Sequence, residues 1–433
     1  MAEVTAVSAR EILDNRLEPT LRVTVETTAG RGTADVPAGR STGEHEAVER
    51  RDGGDRYAGL GVRTAVSTVE ERVAPRLEGR EVTDQRGIDA LLVELDGTDT
   101  KAALGGNVTT GVSLACLKAG AVATDQPLYR YVGGTTASVL PVPFFDLIEG
   151  GQLAGSELPF QEHQAVPVGA ESFADAVRQA AEVYYELGTL LEDAYGVHSR
   201  NVGAEGGYTP PGLTDPRDAF DQIVRAIERA GYDDEFALAA DVAATHFYDA
   251  DAETYTVLGE SMTRAELIAF YEELVETYPI VSLEDPLEEH DYDGFAELTD
   301  RLDVQIVGDD LFVTNPERLR EGVDRGAANA LLVKVNQIGT VTEACDAARL
   351  ASRNGYAIQV SERSGQTADT WLADLAVGLE AGQLKTGVTR SERTEQYNRL
   401  LEIEAELGRG GAYGVDAPGS LPDARTVGRG GRS

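Results

Sequence analysis

The residues able to do chemistry in this chain sit at the ends of apolar runs. Between Pro279 and Gly339 the sequence reads PIVSLEDP, VQIVGDDL and ANALLVKVNQIG, and these runs close on Glu284, Asp309 and Lys334. An earlier run, FALAADVA, closes on Asp241, and a later one, LKTG, carries Lys385. Asp241, Glu284 and Asp309 offer three hard oxygen donors, a set suited to Mg²⁺, which takes few carboxylates and keeps room for substrate oxygens. Neither a cysteine nor a His pair accompanies them, which argues against zinc at this place. Lys334 next to such a metal, and near Lys385, is expected to have its ammonium pKa lowered. A neutral amine so placed is a base able to take a proton α to a carboxylate, and a divalent metal would stabilise the resulting charge.

These side chains converge only if the runs are strands of one closed sheet. The runs are apolar on both faces and β-branched, as buried parallel strands are. Glu284, Asp309 and Lys334 are spaced by 25 residues at each step, the length of one strand–helix unit. The predicted fold is therefore α/β, with a (β/α)8-type barrel whose strand C-termini deliver the charged residues to one mouth. Further strand ends fall near Arg363 (YAIQVSER) and Lys385, and long helices are predicted at about 172–194 and after Asp215, a candidate cap. Ahead of the barrel, residues 3–37 alternate like an antiparallel meander, and helices are predicted at 62–77, 85–95 and 108–124. The run GGTTASVLPVP marks a boundary. The expected organisation is a smaller α+β capping domain over 1–132, a barrel over 133–415 and a Gly/Arg-rich tail over 416–433.

Composition narrows the partners. The net charge is −37, which disfavours nucleic acid and anionic membranes. The acidic residues are spread along the whole chain, as on a surface solvated at high salt. No segment approaches the roughly 18 apolar residues of a membrane span, and the start, MAEVTAVSARE, lacks the pattern of a signal peptide. Cys116 and Cys345 lie in helical apolar patterns without metal-ligand spacing. A cytoplasmic protein is expected. Of 38 basic residues only Lys101, Lys118, Lys334 and Lys385 are lysines. Arginine cannot serve as a base, so the surviving lysines point to roles arginine cannot fill.

The wording of several segments says more. The second half contains SLEDPLEEHDYDGF, VGDDLFVTNPERL, LLVKVNQIGT, SERSGQTADT and KTGVTRSERTEQYNRLLEIEAELG, preceded by PAGRSTGEHEA, LDGTDTKAALGGN, QEHQAVPVGA and GAEGGYTPP. Through these motifs the chain resembles the enolase family over about residues 4–414. The resemblance implies Mg²⁺-dependent dehydration of 2-phosphoglycerate to phosphoenolpyruvate, a lyase reaction of glycolysis, by a homodimer or higher homo-oligomer. It implies Asp241, Glu284 and Asp309 as metal ligands, and Ser41 as a contact to a second Mg²⁺ arriving with substrate. Lys334 would be the base for the C2 proton and Lys385 the partner of the substrate carboxylate. Glu205 would be the acid assisting loss of the C3 hydroxyl, with Glu162 beside it, and Arg363 and Ser364 would bind phosphate.

Departures from the family pattern gather on the substrate side. Leu153 stands for the histidine of GGSHA, Glu362 for the histidine of HRSGE, and Ala204 for the aspartate of GDEGG. Asp146 and Glu149 replace the asparagines of NIINGG, and Arg40 replaces the alanine of SGASTG. Glu362 would set a carboxylate next to the phosphate, where like charges repel, and Arg40 is expected to compensate. His163 and His246 occur where the family has other residues and are read as structural. Three readings follow: a 2-phosphoglycerate dehydratase, a dehydratase for another phosphorylated or phosphonylated hydroxy acid, or a non-catalytic binding or regulatory homologue. Retention of both acids, both lysines and all three ligands weighs against the last.

Overall fold

The computed structural model describes residues 2–40, 42–414 and 421. The expected tail over 416–433 lies outside the described residues apart from Leu421, and Ser41 lies outside them as well.

The meander forms as expected: β1 (Val4–Leu13), β2 (Pro19–Thr27) and β3 (Gly30–Asp35) make a three-stranded antiparallel sheet in that order. Leu21, Val23 and Val25 of the central strand are fully buried. Helix α1 (Gln85–Asp96) begins at Asp84, whose carboxylate accepts from Gly87 N, and α2 (Gly106–Ala123) packs on the sheet. The contact with β3 is so close that a Cβ on Gly32 would lie 2.2 Å from Ala115 O. The helix expected at 62–77 is interrupted: Arg63–Thr68 and Ala74–Leu77 are α-helical, and Val69–Val73 forms a wider π turn. Pro75 lacks the N–H that would continue a regular ladder there.

Eight strands close the barrel: β4 (Val142–Glu149), β5 (Glu162–Val166), β6 (Ala237–Asp241), β7 (Ile280–Glu284), β8 (Gln305–Gly308), β9 (Ala330–Val333), β10 (Ala357–Ser361) and β11 (Gly382–Lys385). From β6 through β11 and on to β4 the pairs are parallel, but β5 runs antiparallel to both β4 and β6. A barrel of uniformly parallel strands is thus the wrong picture for its opening segment. The link from Glu149 to Glu162 holds no crossover helix, only a short 3-10 turn at Gly151–Leu153, and β5 returns antiparallel to β4. The reversal matters for the site, because Glu162 reaches the mouth by starting its strand, in register with Asp241 and Glu149.

Inside the barrel an apolar layer of Val142, Phe144, Val166, Ala237, Ala239 and Val281 faces one side, and Val307, Ala330, Leu332 and Ala357 the other. A polar layer accompanies them: Gln305 Nε2 donates to Ser282 Oγ at 3.0 Å, and Gln305 and Gln383 exchange hydrogen bonds of 2.9 and 2.7 Å.

The outer helices are α3 (Phe173–Tyr195), α4 (Pro216–Ala230), α5 (Arg264–Thr277), α6 (Tyr292–Arg301), α7 (Pro316–Arg325), α8 (Val341–Arg353), α9 (Trp371–Gly378) and α10 (Ser391–Leu407). Six of these start on a side-chain cap: Ser172, Asp215, Thr263, Asp291, Asn315 and Thr340 each accept from a backbone N–H of the first turn. Such a cap contributes about 1 kcal/mol and fixes where the strand–helix loop ends. A small antiparallel sheet, Tyr248–Asp249, Thr254–Val257 and Glu260–Met262, sits between β6 and α5 and was not expected from the sequence. The two parts of the chain are joined by Lys101 to Glu343 at 2.9 Å, Lys118 to Asp369 at 2.7 Å, and a reciprocal backbone pair between Ala38 and Gly365. Among the described residues no helix is long and apolar enough to cross a membrane.

Candidate active site

Each charged residue at the mouth is placed by the strand it ends or follows. Asp241, Glu284 and Lys385 are the last residues of β6, β7 and β11, whereas Asp309 and Lys334 come directly after β8 and β9. The Lys385 ammonium donates to Asp241 Oδ2 at 2.9 Å and to both Glu284 oxygens at 2.9 and 2.8 Å, and lies 3.1 Å from Glu162 Oε1. Gln161 Nε2 also donates to Asp241 Oδ2, at 3.0 Å. Asp309 pairs with the Lys334 ammonium through Oδ2 and accepts from Gln337 Nε2 at 2.8 Å through Oδ1. Its backbone is fixed from below, because Asp285 accepts from the N–H groups of Asp309 and Asp310 at 2.9 and 2.7 Å.

Burial makes these charges interact strongly. Burial is the largest influence on both lysines and lowers them, but at Lys334 Asp309 together with Glu284 keeps the ammonium raised. The expected lowering by Lys385 is present, with a larger one from Arg363, and the carboxylates around the ammonium exceed both; a metal's pull is additional to this balance. Lys385 is likewise held well up by Asp241, Glu162 and Glu284 against burial. Burial and then Asp241 raise Glu284, while at Asp309 the effect of burial is overcome by Lys334, which keeps this carboxyl below its ordinary value.

Three buried carboxylates, all-oxygen donors on neighbouring strands, fit a hard cation. Asp241 and Glu284 converge on one point that a positive group, the Lys385 ammonium, holds in this structure, and Asp309 turns to a second ammonium. Among the described residues two other carboxylate triplets bring one oxygen each within 4.8 Å, Asp146, Glu162 and Glu205, and Asp285 and Asp310 with Asp309 itself. The second is explained by Asp285 bracing the Asp309 loop. The first forms the acid side of the mouth.

On that side Glu149, at the end of β4, accepts from Glu205 N at 3.1 Å and from Gly207 N at 2.6 Å, and so fixes the loop that presents Glu205. Among the described residues, Glu205 Oε2 and both Asp146 oxygens have no hydrogen-bond partner. Burial and then Glu205 push Glu149 up to about 8. Burial raises Glu162 to about 8 despite Lys385, and holds Asp146 well up. The closeness of the Glu205 loop requires glycine at 387, where φ is +62° and a Cβ would lie 2.4 Å from Glu205 O.

The opposite rim is built by Arg363 and Ser364. Arg363 is chelated by Glu46 at 2.9 and 3.0 Å and donates to Asn336 Oδ1 at 3.1 Å, and Ser364 Oγ accepts from Arg40 N at 2.9 Å. Glu362 does not confront this rim as a bare charge. Its Oε2 pairs with the guanidinium of Arg393 and accepts from Thr386 Oγ1 at 2.9 Å. Arg393 is fully buried and also donates to the carbonyls of Arg363 at 2.8 Å, Ser364 at 2.9 Å and Ala204 at 3.3 Å. The cation that offsets Glu362 is Arg393, in the quoted SERTEQYN segment, and Arg40 lines the cleft.

The cleft at the mouth is lined by Glu162, Glu205, Asp241, Lys334, Arg363, Ser364 and Lys385, together with Gly39, Arg40, Leu153 and Glu362. Glu284 and Asp309 lie beneath it, joined to it through the two ammonium groups. Gln161, Gln337, Glu46 and Arg393 were missed; the first two adjoin expected site residues in QEH and KVNQIG, which is the signal that could have found them. His163 is structural as expected: fully buried, its Nδ1 3.2 Å from Ile148 O, between the rings of Phe160 and Phe220. His246 is half-buried, and burial lowers its pKa while Asp241 and Glu289 oppose the shift.

Comparison with known proteins bears directly on this arrangement. Residues 137–418 match the family described as Enolase, C-terminal TIM barrel domain, and residues 4–132 match Enolase, N-terminal domain. The chain is 56% identical to the enolase of Methanopyrus kandleri over 420 residues, covering 96% of this chain and 98% of that protein. It is 53% identical to the enolase of Thermococcus kodakarensis over 410 residues, covering 94% and 95%, and 50% identical to that of Methanocaldococcus jannaschii over 408 residues, covering 94% and 96%. With both family domains matched in order and relatives of such identity over nearly the whole chain, the chain belongs to the enolase family.

Proposed function

We propose that this chain interconverts 2-phosphoglycerate and phosphoenolpyruvate, with Mg²⁺ as its cofactor at Asp241, Glu284 and Asp309. The observation that carries this reading is the placement of base and acid on opposite walls of one barrel. Lys334 follows β9 and Glu162 opens β5, four strands apart in a ring of eight, so they face each other across the mouth. A substrate lying across the mouth would present its C2 proton to Lys334 and its C3 hydroxyl to Glu205, with Glu162 alongside. Bound Mg²⁺ supplies stabilisation of the charge that grows on the substrate carboxylate.

The chain's own groups have defined tasks in this reading. Lys334 must release its proton before taking that of C2, and Arg363 and Lys385 are the neighbouring charges that favour release. Glu205, whose Oε2 has no partner among the described residues, gives a proton to the departing hydroxide. Lys385 holds the substrate carboxylate, while Arg363 and Ser364 hold the phosphate, Arg363 being kept in orientation by the Glu46 chelate. Leu153, buried at the cleft wall, provides no charge. Arg393 and Thr386 take the Glu362 Oε2, while its Oε1 has no partner among the described residues, so the case for a different substrate rests on Leu153 and Glu362.

The test is direct. Purified protein with Mg²⁺ and 2-phosphoglycerate is expected to give the ultraviolet absorbance of phosphoenolpyruvate, and Asp309→Asn is expected to weaken Mg²⁺ binding in calorimetry and to abolish turnover. Absence of turnover by the wild type, restored by Glu362→His together with Leu153→His, would establish the altered-substrate reading instead.

A further inference from the structure

Away from the acidic mouth, the segment after Arg40 and the loop after β7 bring two of the chain's five histidines together. The rings of His45 and His290 lie 5.4 Å apart between centroids at 67°, and Glu44 Oε2 is 3.4 Å from His290 Nε2. One donor atom from each of Glu44, His45 and His290 falls within 4.8 Å of the others, and all three residues are exposed.

The hydrogen bonding of His290 gives this cluster its meaning. Its Nδ1 lies 3.2 Å from Glu288 Oε2, and the same carboxylate oxygen accepts from the His290 backbone N–H at 3.0 Å. A carboxylate only accepts, so Nδ1 carries the proton of this contact and Nε2 is the ring nitrogen on the Glu44 side. Glu44 Oε2 lies 3.4 Å from that nitrogen, so the carboxylate and the imidazole can share one cation. The arrangement is also the one by which metal-bound histidines are oriented, with the second ring nitrogen donating to a carboxylate. His45 completes the set as the second imidazole, its ring 5.4 Å from that of His290.

We propose that Glu44, His45 and His290 form a binding site for a d-block divalent cation of the Zn²⁺ type, separate from the three-carboxylate site in the barrel. Two imidazoles and a carboxylate select zinc over Mg²⁺, which requires oxygen donors. Tetrahedral zinc with bonds of about 2.0–2.1 Å sets its donors about 3.3 Å apart, so the side chains must draw inward. Being exposed, they can. Arg318 is the opposing charge, and its guanidinium is engaged with the carbonyls of Leu311 and Glu289. The occupied site ties residue 44 to the loop that follows Glu284, two residues before the Glu46 that chelates Arg363.

The test is calorimetric titration of the full chain with Zn²⁺ in excess Mg²⁺, which occupies the barrel carboxylates. The wild type is expected to bind one Zn²⁺ per chain. His290→Ala is expected to weaken that binding at least tenfold, His45→Gln to a similar degree, with Mg²⁺-supported turnover and melting temperature as in the wild type. Failure of the wild type to take up Zn²⁺ in excess Mg²⁺ overturns the proposal. So does Zn²⁺ binding by His290→Ala equal to that of the wild type.

Discussion

The carboxylates around the barrel mouth have two kinds of partner. Asp241, Glu284, Glu162 and Asp309 are held by lysine ammonium groups, whereas Glu149 and Asp285 are held by backbone N–H groups, and Glu46 and Glu362 by arginines. An ammonium is a point charge on a flexible stem, able to release one anion for another. Backbone amides and the planar guanidinium fork are fixed in direction and hold their acceptors in one geometry. The first group can exchange its partner when a cation or an anionic substrate arrives. The second forms the frame that keeps the Glu205 loop, the Asp309 backbone and the Arg363–Ser364 rim in place.

Swapping the two cations tests this division most severely. Lys334→Arg keeps a positive charge next to Asp309 but removes the possibility of a neutral base. It is expected to cost about 10⁴-fold in kcat with little change in KM and an unchanged melting temperature. Turnover within tenfold of the wild type would move Lys334 into the frame. The converse change, Arg393→Lys, keeps the charge opposite Glu362 but cannot reach the carbonyls of Arg363, Ser364 and Ala204 together. Denaturant unfolding is expected to show a loss of about 3 kcal/mol, from unpaired buried acceptors at roughly 1 kcal/mol or more each. Unaltered stability would mean that the fork is not what holds the rim.

The smallest effect concerns His163, which belongs to neither group. Its ring is pushed down to about 4 by burial. A depressed imidazole contributes stability that is complete above its ordinary pKa of about 6.5 and is lost as pH falls toward the folded value. Between pH 7 and pH 5 this amounts to about 2 kcal/mol. His163→Phe, which keeps the ring contacts with Phe160 and Phe220, is expected to lose less stability over that interval than the wild type. Parallel pH profiles of the two proteins would show that His163 is not the group responsible.

The working half of the site was legible because its residues terminate apolar runs: Asp241, Glu284 and Lys385 end their strands, and Asp309 and Lys334 follow theirs by one residue. The frame was not. Arg393 meets Glu362 across 31 positions of sequence, and Glu46 meets Arg363 across 317, so neither pairing leaves a local pattern. Glu362 was conspicuous as a departure, but its environment depended on Arg393. Strand direction was hidden for a different reason: an apolar run reads alike in both directions, so the antiparallel β5 emerges only from its pairing with β4 and β6. The hairpin at Thr254–Met262 did carry a signal, the alternation TYTV before Leu258 and Gly259, which the stronger barrel pattern obscured.

The four lysines have a practical consequence for handling the protein. All four are ion-paired, but Lys101 and Lys385 are 4% exposed and Lys334 is 12%, whereas Lys118, paired with Asp369, is 27% exposed. Amine-directed reagents, which decorate most proteins at random, meet a single open ε-amine here. Attachment of a dye or a surface through Lys118 would fix the molecule by the seam between its two parts, with a defined orientation and the barrel mouth left clear of label.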